Sequence, residues 1–184
     1  LDLSSALVAG LDGEVGGVRI SAKGRIDRLC APVLDLAANA AGPLRDVLAL
    51  ARIARDADAS GEVRAEARLT GPAASPRVAG TVALEKARVA WFTPGDVRAS
   101  VKLVPGAIAV ERLDWPYGGG RVSARGTVGY RLPVPIDAEV ELNGVDLAEI
   151  LERVSIGGSW VTVKLDAKGR VGGTLSPPAV AGTV

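Results

Sequence analysis

Apolar and polar residues alternate through most of this 184-residue chain. In residues 62–69, EVRAEARL, the aliphatic side chains fall on every second position and the charged ones fall between them. A period of two is typical of a β-strand with one apolar face and one wet face. The pattern recurs in five further segments, which are 18–26, 97–103, 121–128, 136–142 and 161–167. It therefore predicts a mainly β protein.

Short turn sequences separate these predicted strands. They are rich in proline, glycine and asparagine, and they lie at 94–96, 105–106, 116–118, 143–144 and 177–178. Connections this short favour antiparallel neighbours. The prediction is therefore an antiparallel sheet.

Two segments have the period of a helix instead. In residues 42–56, GPLRDVLALARIARD, apolar side chains recur every three or four positions, and Pro43 suits the first helical turn. In residues 145–154, Asp146 is followed three positions later by Glu149, which resembles a capping box. The sequence predicts short amphipathic helices near 43–55 and near 146–153.

The chain also repeats itself at an interval of 102 residues. SPRVAGTV at 75–82 matches PPAVAGTV at 177–184, and LDGEVGGVRISAKG at 11–24 matches LDWPYGGGRVSARG at 113–126. A fixed period is the signature of a repeat architecture. It predicts a first unit at 1–102 and a second, truncated unit at 103–184, with one helix in each. Because the second unit is incomplete and the chain starts with Leu1, we interpret it as a piece of a longer protein.

Proline and glycine recur at the same place in both units. Pro76 and Pro178 are compatible only with the start of a strand or with an edge strand. Gly80 and Gly182 place a residue without a side chain in the strand that follows. Such glycines mark a bend or a close approach of another backbone. We predict a structural bend at these four positions.

Composition argues against catalysis. The chain has no His and one Cys, so the commonest general base and thiolate metal clusters are missing. Ser21 with Lys23, and the carboxylate row Asp137, Glu139 and Glu141, are interpreted as solvated strand faces. We predict no catalytic residue, no metal and no cofactor. Charge is balanced and aromatic residues make up 3% of the chain, which argues against nucleic-acid binding. Cys30 is predicted to be a buried or half-buried apolar residue.

The apolar strand faces consist of small and medium aliphatic side chains. They fit either an open apolar groove, which would need a partner, or a thin filled sandwich. The residues predicted to line a groove are Val63, Ala65, Leu69, Val97, Val101, Val122, Ala124, Ile136, Val140, Val163 and Leu165. Trp91, Trp115 and Trp160 are interpreted either as rings filling local corners or as groove-lining rings.

Three stretches resemble the TamB branch of the AsmA-like family: 61–91, 117–128, and 144–152 with the sequence GVDLAEILE. The resemblance implies an elongated antiparallel sheet bent into a U-shaped trough, often called a β-taco. It also implies a bacterial periplasmic bridge between inner and outer membranes that conducts phospholipid acyl chains and supports outer-membrane biogenesis. An inner-membrane anchor and an outer-membrane β-barrel partner would then lie outside this chain.

Other interpretations remain open beside a lipid-conducting segment. One is a closed β-repeat stalk or adhesin-like scaffold, and another is an assembly factor for outer-membrane β-barrel proteins, with which the TamB branch is also linked. A transmembrane barrel fits poorly because such barrels have aromatic girdles. Unpaired strands at the two ends of the chain also predict edge-to-edge self-association.

Overall fold

The computed structural model describes residues 5–28, 30–50, 58–89, 92–129, 134–146, 163–174 and 178–183. These residues form eleven β-strands and one short α-helix. The predicted mainly β, antiparallel fold is confirmed. The chain separates into two compact units, Leu1–Leu103 and Val104–Val184, here called unit 1 and unit 2.

Unit 1 is an antiparallel meander with a helix inserted after its third strand. Its elements are β1 (Ser5–Val15), β2 (Val18–Asp27), β3 (Val33–Pro43), α1 (Leu44–Leu50), β4 (Ala59–Pro72), β5 (Arg77–Val89) and β6 (Phe92–Val104). Each strand pairs with the one before it, and among the described residues β1 does not pair with β6. The sheet of unit 1 is therefore unclosed.

The described strands of unit 2 also form an antiparallel meander. They are β7 (Ala107–Tyr117), β8 (Gly120–Gly129), β9 (Pro135–Asp146), β10 (Lys164–Thr174) and β11 (Pro178–Thr183). Each of these strands is antiparallel to its predecessor.

The strand pairing recurs at the interval seen in the sequence. Val8 pairs with Gly24 in unit 1, and Val110 pairs with Gly126 in unit 2. In both hairpins a register shift follows, before Leu11 and before Leu113. Further into the sheets, pairs such as Ala67–Gly80 and Gly169–Gly182 also correspond. The sequence repeat is thus a repeat of backbone register and not only of residue type.

The helices differ from the sequence prediction. The first is confirmed in position but covers only Leu44–Leu50 within the predicted 43–55, and residues 51–57 lie outside the described residues. The second was predicted near 146–153, and residues 147–153 also lie outside them. Its predicted first residue, Asp146, belongs instead to β9, where it pairs with Lys164 and its N–H donates to the Gly118 carbonyl at 2.7 Å.

Two predicted turns prove to be irregularities inside strands. Gly95 lies within β6 and Gly144 within β9, both with positive φ, and the pairing register shifts beside each. Glycine tolerates this backbone conformation without a steric penalty. The prediction of turns at 94–96 and 143–144 was therefore wrong, because a glycine bulge has the same sequence signature as a turn.

Little of the described chain is fully buried. The buried apolar residues are Val18, Leu44, Val63, Ala87, Val122 and Val145. In unit 1, Leu44 of α1 packs with Val63 and Ala87 of the sheet. Cys30 is exposed in the connection between β2 and β3, so its predicted burial was wrong. This short connection lies beyond the paired part of the sheet, and none of the described residues buries the thiol.

Candidate functional site

The two faces of the unit 1 sheet differ completely in chemistry. Residues directly opposite one another on paired strands share a face, so the register assigns every side chain. On one face, every regularly paired position from β1 to β5, and from Val97 to Val101 in β6, holds glycine, alanine, valine, leucine or isoleucine. We call this the uncharged face. The opposite, charged face has Arg, Lys, Asp and Glu interspersed with small residues.

The uncharged face consists of transverse rows of side chains. One row runs Leu11, Ala22, Ala38, Ala67, Gly80 and Val101 from β1 to β6. The next row runs Gly13, Ile20, Ala40, Ala65, Val82 and Ala99. Because these residues are mostly small, the middle of the face is a shallow strip with larger aliphatic rows beside it.

Most of this face is not covered by another layer of protein. Leu11 is 65% exposed, Val15 is 51% exposed and Ile20 is 37% exposed. Ala38, Ala67 and their neighbours in the middle strands are half-buried, which lateral contacts within one sheet can account for. A closed, filled sandwich would bury these positions fully. Within the part of unit 1 that the structure describes, the apolar surface is therefore largely accessible.

Helix α1 covers one end of the uncharged face. Its Leu44 is 6% exposed and joins Val63 and Ala87 in a buried cluster, with Val47 and Leu48 packed at the edge of that cluster. Burial of Leu44 and Val63 is thus confined to the end of the sheet from which the helix leaves β3. The rest of the face has no comparable cover among the described residues.

The groove-lining residues predicted in unit 1 lie together. Val63, Ala65 and Leu69 on β4 and Val97 and Val101 on β6 all lie on the uncharged face. In unit 2 the register likewise places on one face the predicted residues Val122, Ala124, Ile136, Val140 and Leu165. Val163 precedes β10 and is 42% exposed.

The predicted bend residues occupy corresponding positions in their units. Pro76 lies between β4 and β5, and Pro178 is the first residue of β11. A Cβ added to Gly80 would lie 2.1 Å from the Glu66 carbonyl oxygen. The neighbouring backbone therefore leaves no room for a side chain there. Gly182 pairs with Gly169 as Gly80 pairs with Ala67.

A second pair of glycines, which the sequence repeat makes equivalent, has the same constraint, although the sequence did not predict it. A Cβ at Gly24 would lie 2.1 Å from the Asp35 carbonyl oxygen, and one at Gly126 would lie 2.2 Å from the Asp137 carbonyl oxygen. These glycines occupy corresponding positions of β2 and β8. Their identity at the interval of 102, inside segments that otherwise alternate as strands, is the sequence signal of this constraint.

The charged faces carry ion pairs that also follow the repeat. Arg68 Nη2 lies 2.9 Å from Asp35 Oδ1 in unit 1, and Arg170 Nη2 lies 2.7 Å from Asp137 Oδ2 in unit 2. The hydrogen bond from Arg170 lowers the pKa of Asp137, and that from Arg125 lowers the pKa of Glu139. Asp137 and Glu139, two of the three carboxylates in the row predicted at 137–141, are compensated across strands in this way.

Unit 2 has an aromatic pair on its uncharged face. Trp115 lies opposite Val122, and its ring centroid is 4.5 Å from that of Tyr117. Val122 is 5% exposed. Trp115 is half-buried and lies on the same face as the predicted groove residues, while Trp91 and Trp160 lie outside the described residues.

Openings on the charged faces are weaker candidates for a site. A cavity of about 420 Å³ in unit 2 is lined mainly by charged residues, among them Arg112, Asp114, Arg125 and Glu139. These four already form two ion pairs with one another. Among the described residues there is no group of three or more His, Cys, Asp or Glu side chains arranged to hold a metal ion. No helix in that part of the chain is both long and apolar enough to cross a membrane.

The uncharged face is the surface with the strongest physical reason to bind a partner, because the exposure of so many aliphatic groups to water is unfavourable. Its rows of alanine, valine and leucine suit flexible apolar chains and supply no hydrogen-bonding group to a polar ligand. No protein-family model, no curated protein and no solved structure matches the chain.

Proposed function

We propose that the uncharged faces hold phospholipid acyl chains and that the chain is a non-enzymatic segment of a lipid conduit. In this proposal the sheet is bent into a U-shaped trough within a periplasmic bridge between inner and outer membranes. The bridge supplies phospholipid for outer-membrane biogenesis. The observation that carries the proposal is an aliphatic face that extends over six strands of unit 1 without a charged side chain at its regularly paired positions.

The energetics of the face support an apolar ligand. Burial of aliphatic surface is worth about 25 cal/mol per Å². A charged or hydrogen-bonding ligand would lose its own solvation on this face without gaining a partner. An acyl chain loses nothing of this kind, and it slides along a smooth surface because no single contact fixes it.

The half-buried state of the middle rows weighs against a closed stalk. A stalk needs a filled core to be stable, and its alternating aliphatic residues would be buried on both sides. In unit 1 the described residues are fully buried only beside α1 and at Val18, the first residue of β2. Assembly of outer-membrane β-barrel proteins would instead use strand edges, and no described contact favours that function over lipid binding.

Adjacent alanines in β3 provide a matched test. Ala38 lies on the uncharged face between Ala22 and Ala67, and Ala37 lies on the charged face between Lys23 and Arg68. We expect Ala38→Asp to abolish co-purification of phospholipid while the unit stays folded, because water reaches the carboxylate on an open face. Ala37→Asp should leave lipid binding unchanged, because its carboxylate meets two cations.

The measurements are lipid mass spectrometry of the purified chain and its thermal unfolding. Equal lipid binding by Ala38→Asp and the unaltered chain would contradict the proposal. Unfolding by Ala38→Asp alone would indicate a closed core, since an unpaired buried charge costs about 3–5 kcal/mol. The equivalent change in unit 2 is Val140→Asp, and Val140 lies between Ala124 and Gly169.

A further inference from the structure

Strand β1 leaves one edge of the unit 1 sheet without a partner. Among the described residues it pairs with β2 and with no other strand. A free edge presents unpaired backbone N–H and C=O groups and can accept a further strand. Edge strands are commonly blocked by proline or lysine, and β1 contains neither. The register shift between Val8 and Leu11 limits the regular stretch of this edge to Leu11–Val15.

The three most exposed large aliphatic side chains of the described residues all belong to β1. Leu7 is 76% exposed, Leu11 is 65% exposed and Val15 is 51% exposed. Leu11 and Val15 lie on the uncharged face. Leu113, at the corresponding position of β7, is half-buried. A strand added beside β1 would cover Leu11 and Val15 from the side and reduce their contact with water.

The charged face of the same stretch is acidic at its outermost strand. Asp12 and Glu14 lie on this face, opposite Ser21 and Arg19 of β2. Both carboxylate side chains are exposed. Neither forms an ion pair with the residues that the structure describes. Two carboxylates are thus available to side chains of a further strand.

Distance decides which charges a further strand meets. Its side chains would lie directly opposite Asp12 and Glu14, about 5 Å away. Arg19 belongs to the next strand, two strand spacings or about 10 Å away. Salt at about 0.1 M screens charges over the same distance. Lys23 and Arg25 of that strand lie outside the regular stretch. The two carboxylates of β1 therefore dominate the charge that a partner strand meets.

Two copies of β1 do not suit each other. When two such edges pair antiparallel over Leu11–Val15 with their faces matched, at least one carboxylate of each copy lies opposite a carboxylate of the other. Parallel pairing in register has the same result. Like charges directly opposite are destabilising, and opposite charges are favourable. The edge therefore fits a partner strand with basic side chains on this face better than it fits itself.

We propose that the free edge of β1 is the docking site for an extended polypeptide segment whose alternate residues are aliphatic and basic. The backbone of the segment hydrogen-bonds to Leu11–Val15. Its aliphatic side chains continue the uncharged face beside Leu11 and Val15, and its basic side chains pair with Asp12 and Glu14. Strand addition of this kind takes its affinity from main-chain hydrogen bonds and its specificity from alternate side chains. It is independent of lipid binding.

The test uses two end-capped peptides with the same aliphatic residues. One is IDAEVEL, the sequence of residues 136–142, and the other is IKAKVKL, in which lysine replaces the three acidic residues. Fluorescence anisotropy measures the binding of each dye-labelled peptide to the full chain. IKAKVKL should bind roughly tenfold more tightly than IDAEVEL, because two opposite-charge pairs replace two like-charge pairs. Fully N-methylated IKAKVKL should not bind, because it has no backbone N–H to donate.

The double variant Asp12→Asn/Glu14→Gln should bring the affinity ratio of the two peptides close to one. Glu62→Gln/Glu66→Gln is the matched control, because it removes two exposed carboxylates from β4, away from the edge, and it should keep the ratio. Thermal unfolding checks that both variants stay folded.

Three results would overturn the inference. The first is an unchanged affinity ratio in Asp12→Asn/Glu14→Gln. The second is binding of the N-methylated peptide as tight as that of its parent, which would show that no strand is added. The third is equal binding, or absence of binding, of the two peptides with the unaltered chain.

Discussion

Units 1 and 2 pair their strands in the same register but protect their aliphatic faces in different ways. In unit 1, Ile20 lies opposite Gly13 and is 37% exposed. In unit 2 the corresponding residue, Val122, lies opposite Trp115 and is 5% exposed. On the other neighbouring strand, Ile20 lies opposite Ala40 and Val122 lies opposite Leu142. The position with the larger cross-strand neighbours is therefore the one that is buried. Backbone register is common to the units, whereas the extent of cover depends on individual side chains.

The buried residues that the structure describes also differ between the units. In unit 1, α1 supplies Leu44 to a cluster with Val63 and Ala87. Among the described residues of unit 2, Val122 and Val145 are buried, near the aromatic pair and the irregular end of β9. Within the described residues, burial is therefore local in both units, and large aliphatic areas of unit 1 remain accessible.

The largest expected effect is loss of the helix contact in unit 1. Leu44→Ala should lower the free energy of unfolding by about 2–4 kcal/mol, because it removes a buried leucine that holds a helix too short to be stable alone. Leu50, which is 48% exposed in the same helix, is the control. Leu50→Ala should change stability by less than about 0.5 kcal/mol. Urea unfolding measures both, and equal effects would show that α1 does not anchor the end of the face.

An exchange across the repeat tests the role of Trp115 directly. Trp115→Gly should destabilise unit 2 by about 2–3 kcal/mol, because it uncovers Val122 and removes the contact with Tyr117. Gly13→Trp should stabilise unit 1 by up to about 1 kcal/mol. An added Cβ at Gly13 meets no atom within 4 Å, so the larger side chain has space to lie over Ile20. Unchanged melting of both variants would contradict the proposed difference in cover.

Glycines with and without a close backbone neighbour should respond differently to alanine. Gly80→Ala should cost about 1–3 kcal/mol, because its Cβ would meet the Glu66 carbonyl oxygen at 2.1 Å and force the strands apart. Gly13→Ala should be neutral or slightly stabilising. Thermal unfolding of the two variants compares them, and a tolerated Gly80→Ala would show that the strands move apart at little cost.

Much of the fold was predictable because period two identifies strands directly. All six alternating segments lie wholly or largely in strands, although β10 begins only at Lys164 of the predicted 161–167. The apolar faces followed from the same alternation. Gly95 and Gly144 were misread because a glycine inside a strand at positive φ has the sequence signature of a turn.

Features that depend on the strand register could not be predicted from the sequence. The Arg68–Asp35 ion pair joins residues 33 positions apart, and its counterpart Arg170–Asp137 does the same. Neither can be found before the strands are aligned. The exposure of Cys30 likewise depends on what packs over a connection, which alternation does not specify.

The smallest expected effect is a loss of stability of unit 2 at acidic pH. The pKa values of Asp114, Asp137 and Glu139 in unit 2 are held below their ordinary values by hydrogen bonds from Arg112, Arg170 and Arg125. A lowered folded-state pKa gives stability that is present above the unfolded pKa, about 4, and is lost as pH falls through the folded pKa. Unit 2 should therefore weaken slightly below about pH 4, and Asp137→Asn should reduce that dependence.

The acid effect is checked by thermal unfolding between neutral pH and about pH 2. Added salt should reduce the pH dependence of the melting temperature, because the groups are exposed and salt screens their interactions. A melting temperature of Asp137→Asn that falls with pH as steeply as that of the unaltered chain would remove Asp137 from the explanation.

The most direct test of the central claim, that one face of unit 1 is open and holds acyl chains, is site-specific photo-crosslinking. A photoreactive amino acid is placed at Ala38 on the uncharged face or at Ala37 on the charged face, and lipid adducts are measured by mass spectrometry after irradiation in bacterial cells. We expect phospholipid adducts at position 38 and none above background at position 37. Equal adducts at both positions, or adducts at position 37 alone, would contradict that claim.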